Sequence, residues 1–192
     1  MKKTHPLLLL SSLALMLAAC SSPESSPDAA QASGNPSAPD LVTTTGLGEA
    51  PDFTLPTLDG DSLGLSALEG QIVVVNFWAT WCAPCLEEIP ELIALHDDLN
   101  PHGLTVLGVA IDAEGEVLVR PFAERLDITY PILLDDGTAA EAFGGMFALP
   151  TTYVIDPERQ ISQRVIGLYP VKEMYPEFRK MLNLPPVSTT AH

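Results

Sequence analysis

Ile72-Val73-Val74-Val75-Asn76-Phe77-Trp78 runs through Ala79-Thr80 into Trp81-Cys82-Ala83-Pro84-Cys85. The first seven residues are apolar apart from Asn76 and rich in β-branched and aromatic side chains. Gly70 bounds them on one side and the cysteines on the other. Such a run predicts a strand buried on both faces. A helical pattern follows over Leu86–Leu99. Two cysteines separated by two residues at a strand-to-helix junction can close a small disulfide ring and open it again. The first would sit where a helix N-terminus offers free N–H groups and a partial positive charge, which favours thiolate over thiol. Pro84 suits the first helical turn, where its missing N–H costs nothing.

Other chemistry for this pair is poorly supplied. A zinc site needs two more ligands, and only Cys20 remains among the cysteines. His96 and His102 do not form an H-x₃₋₅-H pair, so no metal is expected. A purely structural disulfide is common in exported proteins, but it rarely spans two residues at a helix start.

The chain has 192 residues, enough for one ordinary domain with additions, and its hydrophobic content of 46% supports a core. Formal net charge is −16. Such a surface argues against nucleic acid and anionic lipid headgroups as partners and favours solubility.

Lys2 and Lys3 open the chain, and Leu7 to Ala19 is apolar except for Ser11 and Ser12. That stretch is short for a bilayer span and fits a signal-peptide core. It ends in Leu17-Ala18-Ala19-Cys20, which resembles the bacterial lipobox. The resemblance implies cleavage before Cys20 and a lipid on its sulfur, leaving an even pair of cysteines for chemistry. Without the leader, seven basic side chains face 25 acidic ones, a net −18. Ser21, rather than Asp, follows Cys20 and resembles an outer-membrane sorting signal if the cell is Gram-negative. Ser21 to about Gly48 is rich in Ser, Pro, Ala and Gly with no hydrophobic period, and reads as a disordered tether. The expected division is therefore 1–19 signal peptide, 20–49 anchor and linker, 50–184 folded domain and 185–192 tail.

Within the folded part, Asp52–Leu55 and Ser62–Leu65 flank Asp59-Gly60, a hairpin signal. Ser66–Glu69 suggests a helical turn stopped by Gly70. After the cysteine helix, which Pro90 should kink, Leu104–Ile111 reads as a second buried strand. Glu114–Leu126 reads as a helix interrupted by Pro121. Ile128–Leu134 is an extended piece, and Ala139–Phe143 a short helix ended by Gly144-Gly145. Thr152–Ile155 and Ile161–Ile166 form a hairpin. Val171–Leu184 is a closing helix with Met174, Phe178, Met181 and Leu182 inward, stopped by Pro185-Pro186. Strands alternating with helices predict an α/β fold, a mixed sheet with helices on both faces.

Asn76–Cys85 resembles the active-site segment of the thioredoxin superfamily, and Ala148-Leu149-Pro150-Thr151-Thr152-Tyr153-Val154-Ile155-Asp156 resembles its cis-proline strand. With the leader and Glu88, the chain is similar to the TlpA/ResA-like group of membrane-tethered thiol–disulfide oxidoreductases over roughly residues 50–184. The resemblance implies a thioredoxin-like fold with an N-terminal β-hairpin and an insertion before the cis-proline strand. It implies Cys82 as attacking thiol, Cys85 as resolving thiol and a cis Leu149–Pro150 bond whose backbone can pair with an extended client. Trp81 is expected to cover the ring beside the pair, with a merely packed aromatic as the equal alternative. Glu88 lies about 60° around the helix from Cys85, whereas Glu87 lies about 160° away and should face solvent. A glutamate at the position of Glu88 influences the cysteine pair in such proteins. Where thioredoxin has a buried aspartate, this chain has Asn76, which cannot be a base. Arg120, Arg125, His96 and His102 read as surface or loop groups.

The expectation is an extracytoplasmic reductase of disulfides in exported proteins such as apocytochrome c, lipid-anchored to a bacterial membrane and recharged by a membrane thiol–disulfide electron donor. Its clients are oxidised proteins, it needs no cofactor, and a monomer is expected. One alternative is a thiol peroxidase of the AhpC/TSA-like redoxins. Those use Thr-x-x-Cys with a partner arginine, whereas Thr80 stands only two residues before Cys82. Another is a non-enzymatic lipoprotein binding module, which would tolerate loss of both cysteines.

Overall fold

A computed structural model describes residues 42–186. The leader, Cys20, most of the predicted tether and residues 187–192 lie outside the described residues. In chain order the strands and helices are β1 (Val42–Thr44), β2 (Thr54–Pro56), β3 (Ser62–Gly64), β4 (Ile72–Trp78), α1 (Ala83–Leu99), β5 (Leu104–Ala110), α2 (Glu116–Arg125), β6 (Ile132–Leu134), α3 (Thr138–Ala142), β7 (Thr151–Ile155), β8 (Ile161–Ile166) and α4 (Val171–Met181).

β4 lies inside the sheet because every residue of it is buried. It pairs in parallel with β5 and antiparallel with β7. β6 extends the sheet beyond β5, and β8 and β1 extend it beyond β7. The two parallel steps each require a crossover, and α1 and α2 supply them. β2 and β3 form a separate antiparallel hairpin. The result is a mixed sheet with helices on both faces and an N-terminal hairpin, a thioredoxin-like fold.

The alternation of side chains along β4 and β5 divides the core. Ile72, Val74, Trp78, Val106 and Ala110 pack with residues of α1, α2 and α4. Val73, Val75, Phe77, Leu107 and Val109 pack on the opposite face with Phe53, Leu55, Leu65 and Phe143. Each fully buried aliphatic side chain contributes roughly 1.5–3 kcal/mol. Gly108 is obligatory: a Cβ there would stand 2.8 Å from Cε2 of Tyr130 and 3.1 Å from the Trp78 indole nitrogen.

Several boundaries differ from expectation. β1 falls inside the span read as linker and pairs with β8, Val42 opposite Ile166. Its three residues are too few to carry a periodic signal, and they pair with Arg164–Ile166, far along the chain. The helix α2 begins at Glu116, after a turn closed by Gly115 N–H on the Asp112 carbonyl. Only Ile132–Leu134 of the expected extended piece is strand. α4 stops at Met181, because Asn183 adopts a left-handed φ of 55° and Leu184 N–H turns back to the Arg179 carbonyl. This is a common way to end a helix. α1 begins three residues earlier than its apolar pattern and continues through the exposed Pro90. Among the described residues, no helix is long and apolar enough to cross a membrane.

Candidate active site

The site is built where β4 ends and α1 begins. Cys82 is the N-cap of α1, with extended backbone, and its Sγ accepts the Cys85 N–H at 3.3 Å. The cap position normally takes an oxygen side chain, so here sulfur receives one of the helix's unpaired donors. The two cysteines are joined as a disulfide, with an S–S distance of 2.06 Å and Cα atoms 5.3 Å apart. Cys82 keeps 6% of its surface exposed and Cys85 none. An incoming sulfur can therefore reach Cys82 more readily. When the disulfide opens, the helix N-terminus favours its thiolate.

Trp81 projects from the preceding turn, 69% exposed. Together with Cys82, Ile111, Met146, Phe147 and Leu149 it borders an apolar cleft of about 410 Å³. Phe147 on the far wall is 89% exposed. The Leu149–Pro150 peptide bond is cis. Its surroundings are fixed by Thr151 Oγ1, which donates to the Ala148 carbonyl at 2.8 Å, and by Gly167 N–H, which donates to the Pro150 carbonyl at 2.9 Å. The structure thus brings Trp81, Cys82 and Leu149 to one cleft, with Pro150 leading from it into β7.

Glu88 lies on the inner side of α1, three residues beyond Cys85, and is 4% exposed. Oε1 accepts the Asn76 side-chain N–H at 2.6 Å and Oε2 accepts the Tyr169 backbone N–H at 2.8 Å. Burial raises the Glu88 carboxyl to about 7 from an ordinary value of 4.5; the Tyr169 and Asn76 donors oppose that rise and Glu91 adds slightly to it. Asn76 also donates to Thr152 Oγ1 at 2.9 Å, so it links β4, β7 and α1. Glu87 is exposed. A carboxyl poised near 7, on the helical face of the buried cysteine, can take or return a proton at neutral pH.

His96 departs from expectation. It is buried on α1 and its Nδ1 accepts the Val106 backbone N–H at 3.2 Å. Burial lowers its pKa from the ordinary value of 6.5. It reads as a surface group in sequence because Asp97 and Asp98 follow it. Asp112, Phe147 and Tyr169 also stand at the site without a motif in the sequence to mark them. Tyr169 acts through its backbone, which no side-chain pattern reports. Asp112 follows β5 in a loop, and only the sheet brings it to the cysteine turn.

The geometry bears on peroxide chemistry. The Thr80 hydroxyl donates to Asp112 at 2.6 Å and is buried, so it is not offered to Cys82. Arg120 and Arg179 are paired with Glu116 and Asp98. Arg159 pairs with Asp52, and Arg125 and Arg164 stack on Phe122 and Tyr153.

The fold and the cysteine pair define a thioredoxin-like protein, and the chain belongs to the AhpC/TSA family, matched over residues 48–164. It is 38% identical over 124 residues to the thioredoxin-like protein YneN of Bacillus subtilis, covering 64% of this chain and 72% of that one. It is 33% identical over 115 residues to the thiol-disulfide oxidoreductase ResA of Bacillus cereus, covering 60% and 66%. Among solved structures, it resembles a thiol:disulfide interchange protein of the thioredoxin family from Chlorobium tepidum, with a TM-score of 0.64 and 29% identity over 70% of this chain and 95% of that one. The protein is a thioredoxin-like thiol–disulfide oxidoreductase.

Proposed function

We propose that this oxidoreductase is an extracytoplasmic reductase of disulfides in exported proteins, apocytochrome c among them, working through Cys82 and Cys85. The observation that carries the reading is the cysteine ring at the start of α1, open to the Trp81–Leu149 cleft and backed by the buried Glu88. In the reduced protein the Cys82 thiolate attacks one sulfur of a client disulfide. A Cys82–client bond forms, the client S–S bond breaks, and the second client sulfur leaves as a thiolate that takes up a proton. Cys85 then gives its proton towards Glu88 and attacks the Cys82 sulfur. The client's first sulfur leaves as a thiolate, and the Cys82–Cys85 disulfide closes. Two electrons have passed to the client. A membrane thiol–disulfide donor returns the pair to the dithiol, with Glu88 giving the proton back.

The cleft suits an extended client segment, with Trp81 and Phe147 as apolar walls and Leu149 lining it together with Cys82. The leader and Cys20 support export and lipid attachment at a bacterial membrane, on its outer side. Acting as a monomer is sufficient, since every group named belongs to one chain. Cys85→Ser tests the reading. Mixed with a disulfide-bonded c-type haem-binding peptide, it should accumulate a mixed disulfide on Cys82, and the wild-type pair should equilibrate at a reducing potential against glutathione. No trapped adduct, or a pair fully reduced by glutathione, would overturn it.

A further inference from the structure

Asp112, directly after the β5–Ile111 segment, is 3% exposed and points at the cysteine turn. Its Oδ1 accepts the Thr80 hydroxyl at 2.6 Å and the Thr80 N–H at 3.2 Å, and Oδ2 accepts the same N–H at 3.1 Å. Its own backbone is pinned on both sides. Ile111 N–H donates to the Trp78 carbonyl at 3.0 Å, and the Asp112 carbonyl accepts Gly115 N–H at 2.9 Å. On the other side of the turn, Cys82 N–H donates to the Ala79 carbonyl at 3.1 Å. Trp81 is thus held between a residue clamped by Asp112 and the cap of α1, although its own side chain is largely in solvent.

A buried carboxylate is a costly way to hold a loop when a neutral acceptor would serve. What a neutral acceptor lacks is the charge. Two residues of chain span ~7 Å at most, so the carboxylate bonded to Thr80 N–H lies within about 10 Å of the Cys82 backbone nitrogen, at the start of α1. Among the described residues, no cation forms an ion pair with Asp112. The other charged groups bordering its cleft, Asp135 and Asp136, are also acidic. They are turned to the backbone N–H groups of Ala139, Ala140 and Thr138. Glu114 and Glu116 follow on the next loop and on α2, where Glu116 is paired with Arg120. A negative charge near Cys82 opposes the helix N-terminus, which favours the thiolate. A less stabilised thiolate leaves the dithiol form less stable and the pair more reducing.

We propose that Asp112 is a positioning residue of the redox site: through Thr80 it fixes the turn that carries Trp81 and Cys82, and its charge keeps the cysteine pair reducing. The inference rests on redox chemistry at Cys82–Cys85, not on the identity of the client. The test uses the full mature chain and two readouts, the pH profile of Cys82 alkylation by iodoacetamide and the equilibrium of the pair with glutathione. Asp112→Asn should move the alkylation profile down by ~0.5–1 pH unit. The same variant should shift the glutathione equilibrium toward the dithiol by about three- to tenfold. A variant with a lowered thermal midpoint but an unmoved profile and equilibrium would show a structural role alone and overturn the proposal. Should Asp112→Asn fail to fold, Thr80→Val decides. It keeps the charge and removes its hydroxyl partner, so the profile should move to higher pH, and Thr80→Ser should restore it. An unmoved profile in Thr80→Val overturns the proposal. If Asp112→Asn shifts the equilibrium while the wild type reduces no exported protein, the tuning stands and the client reading falls.

Discussion

The two faces of the central sheet use the same strands for different ends. Under the β2–β3 hairpin and α3, the face is hydrocarbon and aromatic rings. Phe77 meets Phe143 edge-on at 5.5 Å, and Phe143 meets Tyr153 at 4.5 Å. Under α1, residues of the same strands carry Asn76 and Thr152, and the helix adds Cys85 and Glu88, all buried. One face is a core of the usual kind. The other is a core into which a titratable carboxyl and its donors have been set, at a cost in solvation that burial of Glu88 makes visible. The difference teaches that stability and chemistry are separable here by the parity of a residue along β4: Val73, Val75 and Phe77 face one way, Ile72, Val74, Asn76 and Trp78 the other.

The sharpest test of the comparison is at the cysteines. Cys82→Ser should lower the rate of protein-disulfide reduction by at least about 10³-fold, with little change in the urea midpoint of the reduced protein. Retained activity would make the polar face mere packing. On the apolar face, Phe77→Ala should cost about 3–5 kcal/mol of unfolding free energy. It should leave the pH profile of Cys82 alkylation in the fraction that remains folded unchanged. A shifted profile would show that the faces are coupled and break the division.

A third effect is smaller and has a sign. Glu88 is raised from 4.5 to about 7 in the folded protein. The folded state therefore holds this proton more tightly than the unfolded chain. Its contribution to stability is complete below pH 4.5 and is lost as pH rises through 7. The shift corresponds to about 3 kcal/mol across that window. Glu88→Gln should remove this slope from the unfolding free energy of the oxidised protein, and flatten the pH–rate profile near neutrality. Glu87→Gln, one residue away and exposed, should change neither. Equal slopes in the wild type and Glu88→Gln would return Glu88 to the status of an ordinary helix residue.

Much of this arrangement is legible in the chain because it is local. The apolar run of β4, the cysteine spacing and the helical period fix the side of α1 on which Glu88 falls, and a 100° step per residue separates it from Glu87. The Leu149–Pro150 segment announces itself through its surrounding residues. What stays hidden depends on long-range pairing. β1 needs β8, Asp112 needs the parallel register of β4 and β5 to reach Thr80, and Tyr169 offers a main-chain donor that any residue but proline would supply. His96 misleads for the same reason. Two aspartates beside it suggest a solvated turn of helix, yet the ring is on the inward side, where only the register of β5 reveals the Val106 N–H waiting for it.

His96 provides the smallest expected effect and an opposite sign on the same helix. Its Nδ1 is occupied as an acceptor by Val106, so the ring is neutral with its proton on Nε2. Protonation of Nδ1 would break that bond and place a charge where burial resists it, which is the cause of its lowered pKa, with Asp97 opposing in part. A base whose folded pKa lies below its unfolded value contributes stability above pH 6.5 and loses it as pH falls through the folded value. Acidification should therefore strengthen the fold at Glu88 and weaken it at His96, the latter by less because His96 is closer to solvent and Asp97 offsets part of the shift. Proton NMR of the His96 ring should show a titration midpoint below 6.5, and His96→Gln should reduce the loss of stability on the acid side. A midpoint at or above 6.5 would mean that the Val106 bond does not hold in solution, and that the polar face of the sheet is more open behind α1 than its burial implies.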